Sequence, residues 1–259
     1  MLGLLASDFY KLFHRKVFYI CMILAVAFSA IGVFTLGYTV GAPYGMPDLD
    51  LKMFGYNGFM VLTQGASSVM LFAMITTVLF ISNEFSNSTI RNVLIRGKNR
   101  FAVYASKLIV VFSMVTMYTL ACCGASFASG CYLWGMGEPK QELLLHLAQG
   151  FGLFLLVSAA VYSFIAMLAF LIRSTGGALG TSIAATSFMG VILAGGQYLL
   201  LRWFNLKIDL NNYWITGYLG VNQGGVPSSE IPRILIVSLS YLVFSIAVGM
   251  ITFWKREIK

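Results

Sequence analysis

Six long apolar segments limit how this 259-residue chain can fold. Each is about 21 to 26 residues long. At roughly 1.5 Å of rise per residue, a helix of that length crosses a hydrocarbon core of about 30 Å. Lipid offers the backbone no hydrogen-bond partners, so each segment is expected to be a helix. The predicted spans are 17–40, 58–81, 108–133, 147–172, 179–201 and 234–254.

The composition argues against a soluble protein. Only 10% of the residues are charged and 59% are hydrophobic, whereas a soluble domain carries about 25% charged residues. The first apolar segment is long for a secretory signal and follows sixteen residues, so we interpret it as a retained span. We therefore predict an all-α polytopic membrane protein that forms a single transmembrane domain over residues 1–259.

The Lys and Arg residues predict the orientation of the spans. With the N-terminus in the cytoplasm, the inside segments hold twelve Lys and Arg residues against three acids, and the outside segments hold five against six. Cytoplasmic loops of membrane proteins carry the excess of positive charge. Both termini are therefore predicted to be cytoplasmic. The basic balance follows from this bias and does not indicate nucleic-acid binding.

Residues 1–16 read as an amphipathic helix that precedes the first span. An apolar face is formed by Leu5, Phe9, Leu12 and Phe13. The predicted opposite face carries Asp8, Lys11 and Arg15. A helix with apolar and basic faces beside a span is expected to lie in the membrane interface. The simpler alternative is a positive flank that only sets topology.

The predicted external loop 202–233 is rich in aromatic residues. Such a density is typical of a membrane interface. Two arrangements remain open from the sequence: a plain aromatic belt, or a segment that dips back or lies on the outer leaflet.

The predicted cytoplasmic segment 82–107 contains a short helix over residues 88–96. Ser88 is a suitable N-cap, Gly97 suits the position just past a helix end, and Asn99 can cap the next helix. The residues Ile90, Val93 and Leu94 share one face. The positive charges of this segment are explained by topology, but a capped helix with its own apolar face is not.

These residues also carry a family resemblance. Glu84 is followed by Thr89-Ile90-Arg91, then by Leu94, Arg100 and Lys107. With the N-terminal SDFYKLFHRKVFY, the C-terminal FWKREIK and six predicted spans, the chain resembles an ABC-2 type transporter permease, the membrane subunit of an ATP-binding cassette exporter. One departure is Gly97-Lys98, where the family often has a proline.

The resemblance implies a mechanism in which this chain is not itself an enzyme. The sequence lacks a phosphate-binding loop, so ATP and Mg are expected on separate cytoplasmic ATPase subunits. The short helix would be a coupling helix that docks on the ATPase, and a second permease, identical or related, would complete the transporter. No catalytic, metal or cofactor site is expected in this chain. The predicted ATPase-coupling residues are Glu84, Thr89, Ile90, Arg91, Val93, Leu94, Arg96, Arg100 and Lys107.

The resemblance further implies a substrate path near the second and fifth spans. Polar residues predicted at membrane depth include Gln64, Ser68 and Gln197. They are candidates for the path, although helix packing is the simpler role for each. The implied substrate is hydrophobic or amphipathic, such as a peptide antibiotic or drug, and the implied location is a bacterial cell membrane.

Two other function classes use features of this sequence differently. A membrane scaffold or sensor would use the basic cytoplasmic loop to bind a partner or anionic lipid. A secondary carrier is disfavoured, because such proteins place ionisable residues at membrane depth and no acid or base falls in the middle of a predicted span.

Overall fold

A computed structural model describes residues 2–41, 57–87, 89–95, 99–135, 141–204, 213–215 and 230–255. Helices dominate these ranges, and none of the residues described in them forms a strand. The helices are α1 (Leu2–Phe13), α2 (Lys16–Gly41), α3 (Asn57–Ser86), α4 (Thr89–Ile95), α5 (Arg100–Trp134), α6 (Gln141–Ile172), α7 (Thr175–Ile183), α8 (Met189–Phe204) and α9 (Ile231–Lys255).

Within the described residues, five helices are long and apolar enough to cross a membrane: α2, α3, α5, α6 and α9. They coincide with five of the predicted spans, and each extends beyond the predicted limits. The extension is largest in α5, which begins at Arg100, eight residues before the predicted span. Asn99 caps α5 as predicted, because its side-chain oxygen accepts a hydrogen bond from the Phe101 N–H at 3.1 Å.

The fifth predicted span, 179–201, is not the single straight helix that was expected. It begins at Thr175 and consists of α7, a π-helical segment (Ala184–Phe188) and α8. The two halves of the pair are bent by 44° relative to each other, which fits either a broken span or a re-entrant loop. Thr186 lies in the π segment and donates to the carbonyls of Ser182 and Ile183. A π turn widens the helix locally and is a known cause of such bends.

The helices α3 and α5 form the centre of the bundle. Both contact α2 and α6, while α9 packs mainly on α6 and α1 packs on α5. Buried residues from these helices form one large apolar core. The outer faces of α2 and α9 are apolar and exposed, with Ile23 and Ile236 as examples. This combination of an apolar interior and an apolar exterior supports a multi-pass membrane protein.

Buried hydroxyl groups join the central helices. Tyr118 of α5 donates to the Phe18 carbonyl of α2 at 2.9 Å, and its oxygen lies 3.1 Å from Thr76 of α3. Tyr162 of α6 donates to the Val69 carbonyl of α3 at 3.2 Å. In lipid, apolar burial alone does not hold helices together, so side-chain hydrogen bonds of this kind contribute to their association.

Part of the aromatic loop folds against the bundle. Trp214 is buried, with its ring 6.3 Å from Phe164 of α6 and 5.9 Å from Tyr241 of α9. Ile215 beside it is buried as well. These two residues therefore pack against the bundle, and the choice between the two arrangements stays a prediction. The remaining residues from 205 to 229 lie outside the described part.

The contact between α5 and α9 depends on the small size of Gly249. A Cβ atom at this position would overlap the Tyr104 hydroxyl and would lie 2.9 Å from the ring carbon that bears it. The Tyr104 ring is fully buried, so it has little room to move away. Its hydroxyl donates to the Ser245 carbonyl of α9 at 3.4 Å, which fixes the ring at the contact.

We expect Gly249→Ala to destabilise the protein by about 1–3 kcal/mol, the usual cost of overpacking a filled core. The measurement is the thermal unfolding temperature of the purified protein in detergent. Gly124→Ala on α5 is the matched control, because a Cβ there meets nothing within 4 Å. Adding Tyr104→Phe to Gly249→Ala should recover part of the loss. Equal stability of the two alanine variants would contradict this account of the helix contact.

Candidate functional site

A buried ionic cluster joins α1, α3 and α5 at the end of the bundle where α4 lies. The Lys107 ammonium on α5 contacts Asp8 Oδ1 of α1 and Glu84 Oε2 of α3, each at 2.6 Å. Lys11 of α1 contacts the other oxygen, Glu84 Oε1, at 3.2 Å. Ser106 donates to Asp8 Oδ2 at 2.6 Å. We call these five residues the ionic cluster.

Helical spacing brings the members of the ionic cluster together. Asp8 and Lys11, three residues apart on α1, lie on one face of that helix. Glu84 lies in the last turn of α3, just before the connection to α4. Ser106 and Lys107 lie in the second turn of α5. Because α1 packs on α5 and α3 packs on α5, three helices meet at the Lys107 ammonium.

An aromatic ring lines the cluster on the α3 side. Phe80, four residues before Glu84, is buried, and the Lys107 ammonium lies 4.6 Å from its ring centroid. The Arg15 guanidinium lies 5.7 Å from the same ring and donates to the Leu79 carbonyl at 3.0 Å. A cation over an aromatic face is attracted by the ring quadrupole. Phe80 therefore adds attraction for two cations where α1 and α2 meet α3.

Burial makes the cluster sensitive to the loss of any central member. The side chain of Lys107 is 2% exposed and those of Asp8 and Glu84 are also buried, whereas Lys11 is 29% exposed. The formal charges of the two lysines and two acids balance. Removing one partner from a buried pair leaves an uncompensated charge, which costs about 3–5 kcal/mol.

The position of α1 corrects one sequence-based prediction. Asp8 was expected on the face turned away from the apolar residues, but it is buried together with Leu12, four residues further on. The exposed face instead carries Ser7, Tyr10 and His14. The reason is that Lys107 and Ser106 supply partners for the carboxylate inside the bundle, which a pattern of apolar residues cannot reveal.

The helix α4 follows α3 directly and is attached to the bundle by its apolar side. Ile90 is 2% exposed and belongs to the main core, and Val93 packs against that core. Ile95 lies on the other side of α4 and is 72% exposed. The predicted helix 88–96 is thus present as Thr89–Ile95, while positions 88 and 96 lie outside the described residues.

The arrangement so far is a helical membrane bundle whose second and third spans are joined by a short helix beside a buried ionic cluster. A family model described as ABC-2 family transporter protein matches residues 4–193. The chain belongs to this family. The match covers the ionic cluster and α4, and it supports the assignment of the chain as an ABC-2 type permease. No curated protein matches the chain.

The predicted ATPase-coupling residues whose side chains the structure describes differ in burial. Glu84 and Lys107 are internal members of the ionic cluster, and Ile90 faces the core. Thr89 and Val93 are half-buried. The side chains of Arg91, Leu94 and Arg96 lie outside the described part. A direct contact of any of these residues with an ATPase stays a prediction.

Arg100 has a different position from the rest of the predicted set. It lies at the start of α5 and donates to the carbonyls of Phe253 and Trp254 near the end of α9, at 3.3 and 2.7 Å. Cationic donors near a helix C-terminus satisfy carbonyls that lack a partner within the helix. In the permease Arg100 therefore joins the α4–α5 connection to the last span.

The candidate path residues are separated along the chain. Gln197 is half-buried on α8, beyond the π segment. Gln64 and Ser68 belong to α3, but their side chains lie outside the described part. The structure therefore does not decide between a path and a packing role for these three residues.

Sequence reasoning missed three members of the ionic cluster: Asp8, Lys11 and Ser106. Asp8 is the one acid of the first sixteen residues, in a segment that is otherwise basic. An acid in that position is a weak signal of a buried cation elsewhere. Nothing local identifies its partner, because Lys107 is 99 residues away.

We expect Lys107→Met to destabilise the permease by about 3–5 kcal/mol, because two buried carboxylates lose their shared cation. Lys11→Met is the matched control. Its pair with Glu84 is partly exposed, and such pairs contribute about 0–1 kcal/mol. The measurement is thermal unfolding of the purified proteins in the same detergent.

A second variant tests whether the unpaired charges cause the loss. Combining Lys107→Met with Asp8→Asn and Glu84→Gln removes the uncompensated carboxylates, so most of the stability should return. If Lys107→Met and Lys11→Met unfold at the same temperature, the ionic cluster is not the buried junction described above.

Proposed function

We propose that this permease is the membrane subunit of an ATP-driven exporter. It pairs with a second permease, identical or related, and a separate cytoplasmic ATPase binds ATP and Mg. The end of the bundle that carries α1, α4 and the ionic cluster faces the cytoplasm, with both termini on that side. The cell membrane of a bacterium is the proposed location.

The observation that carries this proposal is the position of α4. It connects the two central helices of the bundle, and its C-terminal residue Ile95 is exposed although it is apolar. Ile95 is therefore available for contact with another protein. In the sequence Arg91 stands four residues before Ile95, a spacing typical of neighbours on one helix face. This face, rather than the one with Ile90, is the proposed docking face.

The ionic cluster explains how a force on α4 would reach the membrane spans. Glu84 lies five residues before the start of α4 and is bonded through Lys107 to both α5 and α1. Pulling α3 away from α5 would leave buried charges unpaired. The ends of α3 and α5 therefore move together with α1, and closure of the ATPase on ATP would displace this three-helix unit as one body.

The substrate class that we propose is hydrophobic or amphipathic, with peptide antibiotics and amphipathic drugs as the compounds to test. Charged residues do not lie midway along the spans that the structure describes, since Glu84 and Lys107 both lie near the ends of their helices. Such spans suit a substrate that brings no charge to the centre of the membrane. The bend at residues 184–188 lies in the helix pair that contains Gln197 and is the proposed place of movement along the path.

We expect Ile95→Asp and Arg91→Glu to weaken binding of the ATPase at least tenfold, because each change places a wrong charge on the docking face. The measurement is recovery of the ATPase with the tagged permease from membranes solubilised in mild detergent. Lys16→Glu is the matched control, since it makes the same change of charge at an exposed position outside α4. All variants should insert into the membrane normally.

The outcome also separates this proposal from a membrane scaffold. A scaffold would bind its partner, but no transported compound would stimulate ATP hydrolysis in the complex. If the Ile95→Asp and Arg91→Glu variants of the permease still bind the ATPase and still export substrate, α4 is not the coupling helix. If no ATPase is recovered with the wild-type permease and no compound stimulates ATP hydrolysis, the transporter proposal fails as a whole.

A further inference from the structure

A small cavity lies at the corner where α1 ends, α2 begins and α3 passes beside them. Its volume is about 20 Å³, and its lining includes Arg15, Phe18, Leu79, Phe80 and Asn83. A space of that size admits one water-sized group, such as a single oxygen atom of a larger ligand. Arg15 and Asn83 are half-buried, so they line the cavity and remain partly accessible from outside.

The guanidinium of Arg15 is held at this cavity by uncharged contacts. It donates to the Leu79 carbonyl at 3.0 Å and lies 5.7 Å from the centroid of the Phe80 ring. The nearby carboxylates of Asp8 and Glu84 are engaged by the lysines of the ionic cluster. A guanidinium presents five donors in a planar fork that matches the oxygens of a phosphate. Arg15 therefore keeps both its charge and free donors for an anionic group.

A second cation stands next to Arg15. Lys16 is the first residue of α2 and is exposed, and within the described part of the chain it forms no ion pair. The formal charges of the neighbouring ionic cluster balance, so Arg15 and Lys16 leave this corner with two positive charges in excess. The side-chain amide of Asn83 adds two N–H donors at the cavity.

The corner lies where a membrane span begins. The apolar span of α2 starts at Lys16, so Arg15 and Lys16 stand at the boundary between the hydrocarbon core and the headgroups. Basic groups between membrane helices attract anionic headgroups, and each Lys or Arg near the surface contributes about 1 kcal/mol. The corner thus has the charge and the depth of a headgroup site.

An apolar strip continues from the corner where α2 adjoins α3. On α2, Val17, Leu24 and Phe28 share one side of the helix and are 39%, 42% and 59% exposed. On α3, Leu79 and Phe72 are half-buried, and the Phe72 ring lies 5.6 Å from that of Phe28. From Val17 to Phe28 the helix rises about 17 Å, roughly half of a hydrocarbon core of about 30 Å. The strip therefore has the length of one leaflet.

We propose that this corner binds an anionic phospholipid. One phosphate oxygen enters the cavity and accepts from Arg15 and the Asn83 amide, Lys16 contacts the headgroup from outside, and an acyl chain follows the strip from Val17 to Phe28. A soluble anion would leave the strip without a partner, and a zwitterionic lipid would bring a cation towards Lys16. The inference rests on the membrane assignment and is independent of ATPase coupling and of any transported compound.

The test is native mass spectrometry of the purified permease, with any ATPase that copurifies. The protein is incubated with equal amounts of phosphatidylglycerol and phosphatidylcholine that have the same acyl chains. The wild type should retain phosphatidylglycerol preferentially. Arg15→Gln should lower this preference roughly tenfold, as expected for the loss of a charge-assisted hydrogen bond, and Lys16→Gln about fivefold.

A matched control for the loss of charge is Arg202→Gln at the exposed end of α8, a helix that does not line the cavity. It should leave the preference unchanged. Arg15→Gln also removes the contacts with Leu79 and Phe80, so its unfolding temperature is measured in the same detergent. Lys16 is exposed and makes neither contact, so a loss of preference in Lys16→Gln does not come from a change in the fold.

A second pair of variants tests the strip. Leu24 and Ile23 are both exposed on α2, but helical spacing turns Ile23 to a different side. Leu24→Ala should lower the retention of phosphatidylglycerol at least twofold, because the acyl chain loses apolar contact. Ile23→Ala should leave it unchanged.

Three results would overturn the proposal. The first is equal retention of the two lipids by the wild type. The second is a loss of preference in Arg202→Gln as large as that in Lys16→Gln, which would show that any surface cation has the same effect. The third is displacement of phosphatidylglycerol by inorganic phosphate together with equal effects of Leu24→Ala and Ile23→Ala, which would assign the corner to a soluble anion.

Discussion

The charged end of this permease depends on the two ion pairs that the Lys107 ammonium forms. It touches a carboxylate from α1 and a carboxylate from α3 while itself belonging to α5. In a membrane bundle, apolar burial does not by itself select which helices associate, because lipid chains are as apolar as the helix surfaces. A buried ion pair is specific in this respect, since only a partner of opposite charge at the right depth satisfies it. The choice of neighbours for α1 follows from that requirement.

The same end of the bundle contains two further connections between distant parts of the chain. Arg100 joins the start of α5 to the end of α9, and Ile90 fixes α4 to the core. Together with the ionic cluster, these contacts involve α1, α3, α4, α5 and α9. The helix α8 is less closely packed than these helices. It lies beyond a 44° bend, and most of its described apolar side chains are exposed.

Much of this fold could be predicted, and the reason is the membrane. Hydrophobic length is a local property, so five spans and the place of the sixth were visible in the sequence. The cap at Asn99 and the short helix after Glu84 are also local. The bend at 184–188 was not visible, because a π turn depends on how hydroxyl and backbone groups compete within the helix. The burial of Trp214 depends on contacts with α6 and α9, which are distant in sequence and were not visible either.

The sequence by itself determined that the chain is a helical membrane protein, that a short helix joins its second and third spans, and that its family is that of ABC-2 permeases. The tertiary structure alone decided which faces of α1 and α4 turn inward. It placed Asp8 beside Lys107 and left Ile95, not Ile90, exposed. The physical reason is that helical periodicity shows which residues share a face, whereas the partner of a face is set by groups far away in the chain. Asp8 and Lys107 are separated by 99 residues, and no local pattern relates them.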